Sequence, residues 1–231
     1  MMRLLLLAAL AVPLIGAAPA ARKAPVRAPA ATDWTRTIAP TPQGGMRMGN
    51  PNAAIKLIEY GSRTCPHCAA FDAEGLPVLK AGPIKSGKLS YEFREYPVHG
   101  ALDLAPILLG NCVPAARFFP VLDAMFANQN SLLANAESLT IAPGSNAVQI
   151  ANTVANKLGY VAFMQKFGMN AAQAKACLSN PAAINRVAQR TKFANDAFKI
   201  AGTPTFIVSG KPAENVYNWA ALQPVLAAAG L

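Results

Sequence analysis

The sequence predicts an α/β domain split by a large all-helical insertion. Three observations predict it. An apolar-rich strand leads directly into a helix start and is followed by a second, alternating strand. Residues 101–200 carry helical apolar spacing and helix caps but no strand pattern. The chain then returns to strand character near residue 203 and closes with one more helix.

Taken in order, Ile55-Lys56-Leu57-Ile58-Glu59-Tyr60 reads as the first strand, over residues 54–60. Pro66 suits the first turn of a helix, where its missing N–H costs nothing; that helix runs to about Lys80, with Gly75 and Pro77 bending or breaking it. Leu89-Ser90-Tyr91-Glu92-Phe93-Arg94-Glu95-Tyr96 alternates as a second strand, and Pro97 ends it. Within the block 101–200, Phe118, Leu122, Met125 and Phe126 recur at helical spacing. Ser145 is placed to cap a helix carrying Ile150, Val154 and Leu158, and Asn170 to cap one carrying Cys177. Asn180-Pro181 is a cap followed by proline at the first helical position. The stripe Ile184, Val187, Thr191, Ala194 and Phe198 behind it is read as core. Gly202 ends this helix. Residues 203–208 form a strand, Gly210 a turn, Val216-Tyr217 a further short strand, and the last helix covers about residues 219–229. Residues 51–100 and 201–231 thus make the α/β domain, and 101–200 the insertion.

The N-terminus reads as an export signal. Met1-Met2-Arg3 is a short basic start, residues 4–18 are apolar, and Ala18-Pro19-Ala20 fits the small-x-small pattern, so cleavage is expected after Ala20. The apolar run is shorter than the roughly 20 residues that span a bilayer, and Pro13 interrupts it, although retention as an anchor is the alternative. Export implies the periplasm, an oxidising compartment where disulfides persist. Residues 21–50 are rich in Ala and Pro, carry Arg22, Lys23, Arg27 and Arg36, and are expected to be a disordered basic tail. The formal charge is +10, with basic residues scattered and not interleaved with aromatics; nucleic acid is not expected as a partner. A chain that is 53% hydrophobic and 14% charged can bury a substantial core.

The chemistry is concentrated in Cys65-Pro66-His67-Cys68. Two cysteines two residues apart, between a strand and a helix, read as a redox pair. Cys65 at a helix N-terminus faces unpaired N–H groups and the positive end of the dipole, which favour thiolate over thiol; a protonated His67 adds charge. A stabilised thiolate is a good leaving group, and stabilising the reduced form makes the disulfide oxidising. A structural zinc site needs a second nearby ligand pair, and Cys112 and Cys177 stand alone. A c-type haem site needs histidine after the second cysteine, where this chain has Ala69. No metal or cofactor is expected. His99, after the second strand, is read as structural or solvated.

Residues 50–231 resemble the DsbA-like group of periplasmic thiol:disulfide oxidoreductases, within the thioredoxin superfamily. The resemblance rests on the central Pro66-His67 dipeptide of Cys65-Pro66-His67-Cys68 and on Glu59, six residues before Cys65, where that family places a buried acid. It rests also on Gly202-Thr203-Pro204-Thr205-Phe206, which matches the family's cis-proline loop, and on the helical block in the place of its insertion. It implies a thioredoxin-like fold with Cys65 as the exposed sulfur that forms mixed disulfides and Cys68 as the buried partner. It implies a buried Glu59 that moves protons, and Thr203 and Pro204 in a substrate-binding loop. It further implies reduced exported proteins as substrates and a membrane quinone-linked partner for reoxidation. Thr203 before the proline also occurs in the isomerase-like branch. That branch carries an N-terminal dimerisation domain which residues 21–50 are too few to form, so a monomer is expected. A reductase or isomerase on the same fold is the first alternative, and a thiolate Cu(I) chaperone the second.

Cys112 and Cys177 fall in different helices of the insertion. An even cysteine count in an exported chain favours a disulfide between them; two buried, inert thiols are the other reading.

Overall fold

The computed structural model describes residues 32–231, so the expected signal segment and the first part of the expected tail lie outside the described residues. Among the described residues six strands form one sheet: β1 (Ile38–Pro40), β2 (Met46–Met48), β3 (Ile55–Gly61), β4 (Leu89–Glu95), β5 (Thr205–Val208) and β6 (Lys211–Pro212). Their spatial order is β1-β2-β4-β3-β5-β6. Only β3 and β4 are parallel, with Glu59 opposite Phe93, and such a pair needs a crossover between its strands. Helix α1 (Pro66–Glu74) and the short α2 (Leu76–Leu79) supply it, continuing through a π-helical stretch, Lys80–Ile84. The break at Gly75 falls where the sequence predicts it; the helical path runs past Lys80 to Ile84.

Over residues 32–50 the expectation of a disordered tail does not hold. Asp33 caps a single turn, Trp34–Arg36, and β1 and β2 then form a hairpin on the β4 edge. Short strands of Ile38, Met46 and Met48 carry too little pattern to show in sequence, but the edge of β4 gives their backbone groups partners. Trp34 lies over Gly87, where a Cβ would stand 2.7 Å from its ring.

The insertion comprises α3 (Ala101–Gly110), α4 (Phe118–Ala127), α5 (Gln129–Leu133), α6 (Ala147–Lys157), α7 (Tyr160–Gln165), α8 (Ala171–Leu178) and α9 (Pro181–Phe198). Residues 134–146 are not helical, and Asn146, not Ser145, caps α6. Its side chain accepts from Gln149 N–H at 3.0 Å, and Gln149 Oε1 accepts from Asn146 N–H at 2.8 Å. This reciprocal box, repeated by Asn170 and Gln173 on α8, satisfies donors that a helix start leaves open. Asn146→Ala is expected to lower stability by about 1 kcal/mol, read as a shifted urea midpoint; an unmoved midpoint would refute the cap's contribution.

Helix α9 ends on Lys199 in the left-handed conformation (φ 52°), three residues before the predicted Gly202. Its stripe is only partly core: Ala194 is buried, whereas Ile184, Val187, Thr191 and Phe198 are half-covered. The second C-terminal strand is β6, not Val216-Tyr217, because Lys211 and Pro212 pair with Val208 and Ile207 across the Gly210 turn. Helix α10 (Trp219–Ala228) completes the chain where expected.

Two cores result. One packs Leu57, Phe71, Leu79, Leu89, Tyr91, Phe93 and Phe206 between the sheet and α1. The other lies inside the insertion, around Leu109, Ala151, Val154 and Met164. Helix α4 serves both. Phe118, Phe119, Leu122 and Phe126 face the first, and Val121 and Met125 the second. The insertion is stapled by a Cys112–Cys177 disulfide, Cα atoms 6.1 Å apart, joining the end of α3 to α8.

Candidate active site

Strand β3 ends at Gly61, and residues 62–64 deliver Cys65 to the N-cap of α1 with Pro66 at the first helical position. The chain leaves the extended region there (φ −82°, ψ 123° at Cys65) and enters the helix. Cys65 and Cys68 are unbridged. The Cys65 thiol donates to the Thr203 carbonyl at 3.2 Å, so no cap hydrogen bond to the helix is closed while the sulfur is protonated. Its pKa is nonetheless pulled down to about 5. The Cys68 thiol contributes most, Thr203 follows once the cost of burial is set against it, and the backbone N–H groups of Cys68 and His67 add to them. These are the donors a thiolate would turn to. Thr203 Oγ1 has no hydrogen-bond partner among the described residues and is available to that anion.

Cys65 departs from expectation in exposure. It was expected to be the exposed sulfur, yet the residue is 4% exposed, against 0% for Cys68. The Thr203–Pro204 loop, with its cis peptide bond, lies against it, so a client must reach a recessed sulfur. His67 and Pro66 are the exposed members of the motif. Residue 67 contributes its backbone N–H to holding the sulfur; the ring is not among the donors that do so.

Beneath the pair sits Glu59, 1% exposed, on the apolar face of β3 that Ile55 and Leu57 also occupy. Burial is the main cause that pushes its carboxyl up to about 8. Tyr91 Oη donates to Glu59 Oε2 at 2.6 Å, and Oε1 has no partner among the described residues. Gly61 makes the room: a Cβ there would lie 2.8 Å from Glu59 Oε1 and collide with the Phe93 ring. Burial first, and then its hydrogen bond with Cys65, drive the Cys68 thiol well above its ordinary range. The two sulfurs are thereby held apart in acidity, an anion at 65 and a neutral thiol at 68.

Sequence reasoning finds Glu59, Cys65, Cys68, Thr203 and Pro204, and the structure brings all five together. It misses several neighbours. Asp72 on α1 is raised to about 7, by burial first and then by Asp123 of α4, which itself meets Lys80 at 2.6 Å. Asp72 is four residues after Cys68, one helical turn beyond it, a spacing that could have flagged it. Gln129 of α5 donates through Nε2 to the Arg63 and Cys65 carbonyls, both at 3.1 Å. Arg63 is fully buried, paired with Glu95 at 2.7 Å and seated over the Phe118 ring at 5.1 Å. His99, read as structural or solvated, hydrogen-bonds Thr64 beside the motif. No sequence signal marks these contacts, because each joins the motif loop to a distant segment. No group of three or more His, Cys, Asp or Glu that could hold a metal ion occurs among the described residues.

A family model described as thioredoxin matches residues 41–228. Among solved structures, the chain is similar to a protein-disulfide isomerase from Novosphingobium aromaticivorans, at 31% identity and a TM-score of 0.75, covering 80% of this chain and 97% of that one. The α-DsbA1 of Wolbachia pipientis shares the fold, at 19% identity and a TM-score of 0.64 over 82% of this chain and 92% of that one. A Rickettsia bellii relative that carries a protein-disulfide oxidoreductase name is 28% identical over 75% of this chain; this chain spans 60% of that protein's length.

Proposed function

The chain belongs to the thioredoxin family, and on that premise we propose that it is an exported thiol:disulfide oxidoreductase of the DsbA-like type, donating a Cys65–Cys68 disulfide to thiols of newly exported proteins. The observation that carries the reading is the opposed acidity of the two sulfurs, with Cys65 at about 5 on a helix N-terminus and Cys68 buried above Glu59.

A client thiolate attacks Cys65 Sγ, the Cys65–Cys68 bond breaks, and its electron pair leaves on Cys68. Glu59, neutral through most of the physiological range, supplies the proton Cys68 takes up. A second client thiolate then attacks the client sulfur of the mixed disulfide, and Cys65 departs as a thiolate. The client is oxidised and the protein reduced by two electrons. Thr203 and Pro204 border the attacked sulfur, and their backbone offers an extended client an edge to pair with. The His67 ring, exposed beside the motif, adds positive charge when protonated. Reoxidation is assigned to a membrane quinone-linked partner, and the working form to a monomer in the periplasm.

A glutathione-buffered titration of the Cys65–Cys68 pair tests the direction of transfer. The expected potential is near that of strong oxidants, about −120 mV; a value near −270 mV would make the protein a reductase instead. Stoichiometric Cu(I) retention without thiol exchange would replace both readings with a metal carrier.

A further inference from the structure

Asp103 has no accessible surface and lies in the first turn of α3. Its partners all come from the approach to Cys65 or from the loop before α3. Oδ1 accepts from Ser62 Oγ at 2.7 Å and Thr64 Oγ1 at 2.8 Å, and Oδ2 accepts from His99 N–H at 2.7 Å. Thr64 Oγ1 also meets His99 Nδ1 at 2.7 Å, and Thr64 N–H reaches Ser62 Oγ at 3.1 Å. The Ser62 carbonyl in turn accepts the Cys65 N–H at 3.2 Å. A buried carboxylate from the insertion therefore clasps the two hydroxyls that flank Arg63, one residue short of the reactive sulfur.

The hydrogens can be counted. Each hydroxyl has one, and Ser62 and Thr64 both direct it at Asp103. The hydrogen between Thr64 and His99 then comes from the ring, so His99 carries hydrogen on Nδ1.

We propose that Asp103 and His99 are positioning residues of the redox centre: they lock the Ser62–Thr64 turn so that Cys65 is presented to the start of α1 and to Thr203. The proposal rests on reading Cys65–Cys68 as the redox pair. Loosening the turn withdraws the donors from the Cys65 thiolate, weakens the reduced form and makes the disulfide less oxidising.

Two variants of the full chain test it, Asp103→Asn and His99→Ala. Because His99 is exposed, its variant keeps the test intact should Asp103→Asn fail to fold. Each is expected to shift the disulfide–dithiol equilibrium with glutathione toward the disulfide by about tenfold, the scale of one lost hydrogen bond to a charged group. The thiolate absorbance of Cys65 should shift to higher pH in step. His99→Asn, whose amide nitrogen stands where Nδ1 stands, is expected to restore both. Nitrogen-15 correlation spectra of the parent should show hydrogen on Nδ1. Variants that match the parent in equilibrium and titration, with only thermal stability altered, would overturn the proposal, as would an Nδ1 that carries no hydrogen. Failure of the redox reading looks different: the parent itself would then exchange no disulfide with glutathione.

Discussion

Cys68→Ser is expected to turn the protein into a trap. Cys65 keeps the donors of α1 and the Thr203 loop, so it still forms a mixed disulfide with a thiol peptide activated as a disulfide. With a peptide that carries a single thiol, no second thiol in the complex then remains to resolve that bond. Steady-state oxidation should fall by roughly a thousandfold or more, the scale seen when one member of a covalent catalytic unit is removed. A one-to-one adduct should persist on non-reducing gels and by intact mass. The complementary Cys65→Ser variant should form none, because Cys68 is fully buried and held neutral. Equal trapping by both single variants would reverse the assignment of the two sulfurs.

Glu59→Gln should have the next largest effect, on stability and rate in opposite directions. Burial raises the Glu59 carboxyl from an ordinary 4.5 to about 8. Between these values the folded protein keeps a proton that the unfolded chain releases. The sign follows: the stability this carboxyl contributes is fully present below about pH 4.5. It is lost as pH rises to about 8, at roughly 1.4 kcal/mol per unit, and is constant above. Glutamine carries no such proton and can still accept the Tyr91 hydroxyl. The variant should therefore match the parent near pH 4 and exceed it near pH 8, by up to about 4 kcal/mol, in denaturant titrations at both pH values. Its exchange rate should instead drop, by as much as about a hundredfold, because Cys68 loses its proton source. Parallel stability curves across the window would mean that Glu59 is not held neutral.

Local signals carried much of this molecule. The motif, Pro66 at a helix start, the alternation of Leu89 to Glu95 and the caps at Asn170 and Asn180 are all short-range patterns, and each element appears where they place it. The hairpin β1–β2 was invisible because its three-residue strands derive their stability from the neighbouring edge of β4, not from their own sequence. The same distinction divides the site. Glu59 is legible by its distance from Cys65 along one strand. Tyr91 lies on a parallel neighbour, and Asp103, Asp123 and Gln129 lie on helices of the insertion, so their approach to the motif is a property of the assembled fold. The half-covered stripe on α9 shows the limit from the other side, since apolar spacing marks a face without saying how completely a neighbour closes it.

The shared duty of α4 bears on the engineering of this chain. Phe118, Phe119, Leu122 and Phe126 are wall material for the sheet domain, although they lie in the middle of the inserted segment. The segment is thus no detachable module that could be lifted out of the sheet domain. Excising it would leave the ground beneath the cysteines open to water, and transplanting it would carry away part of the host's interior.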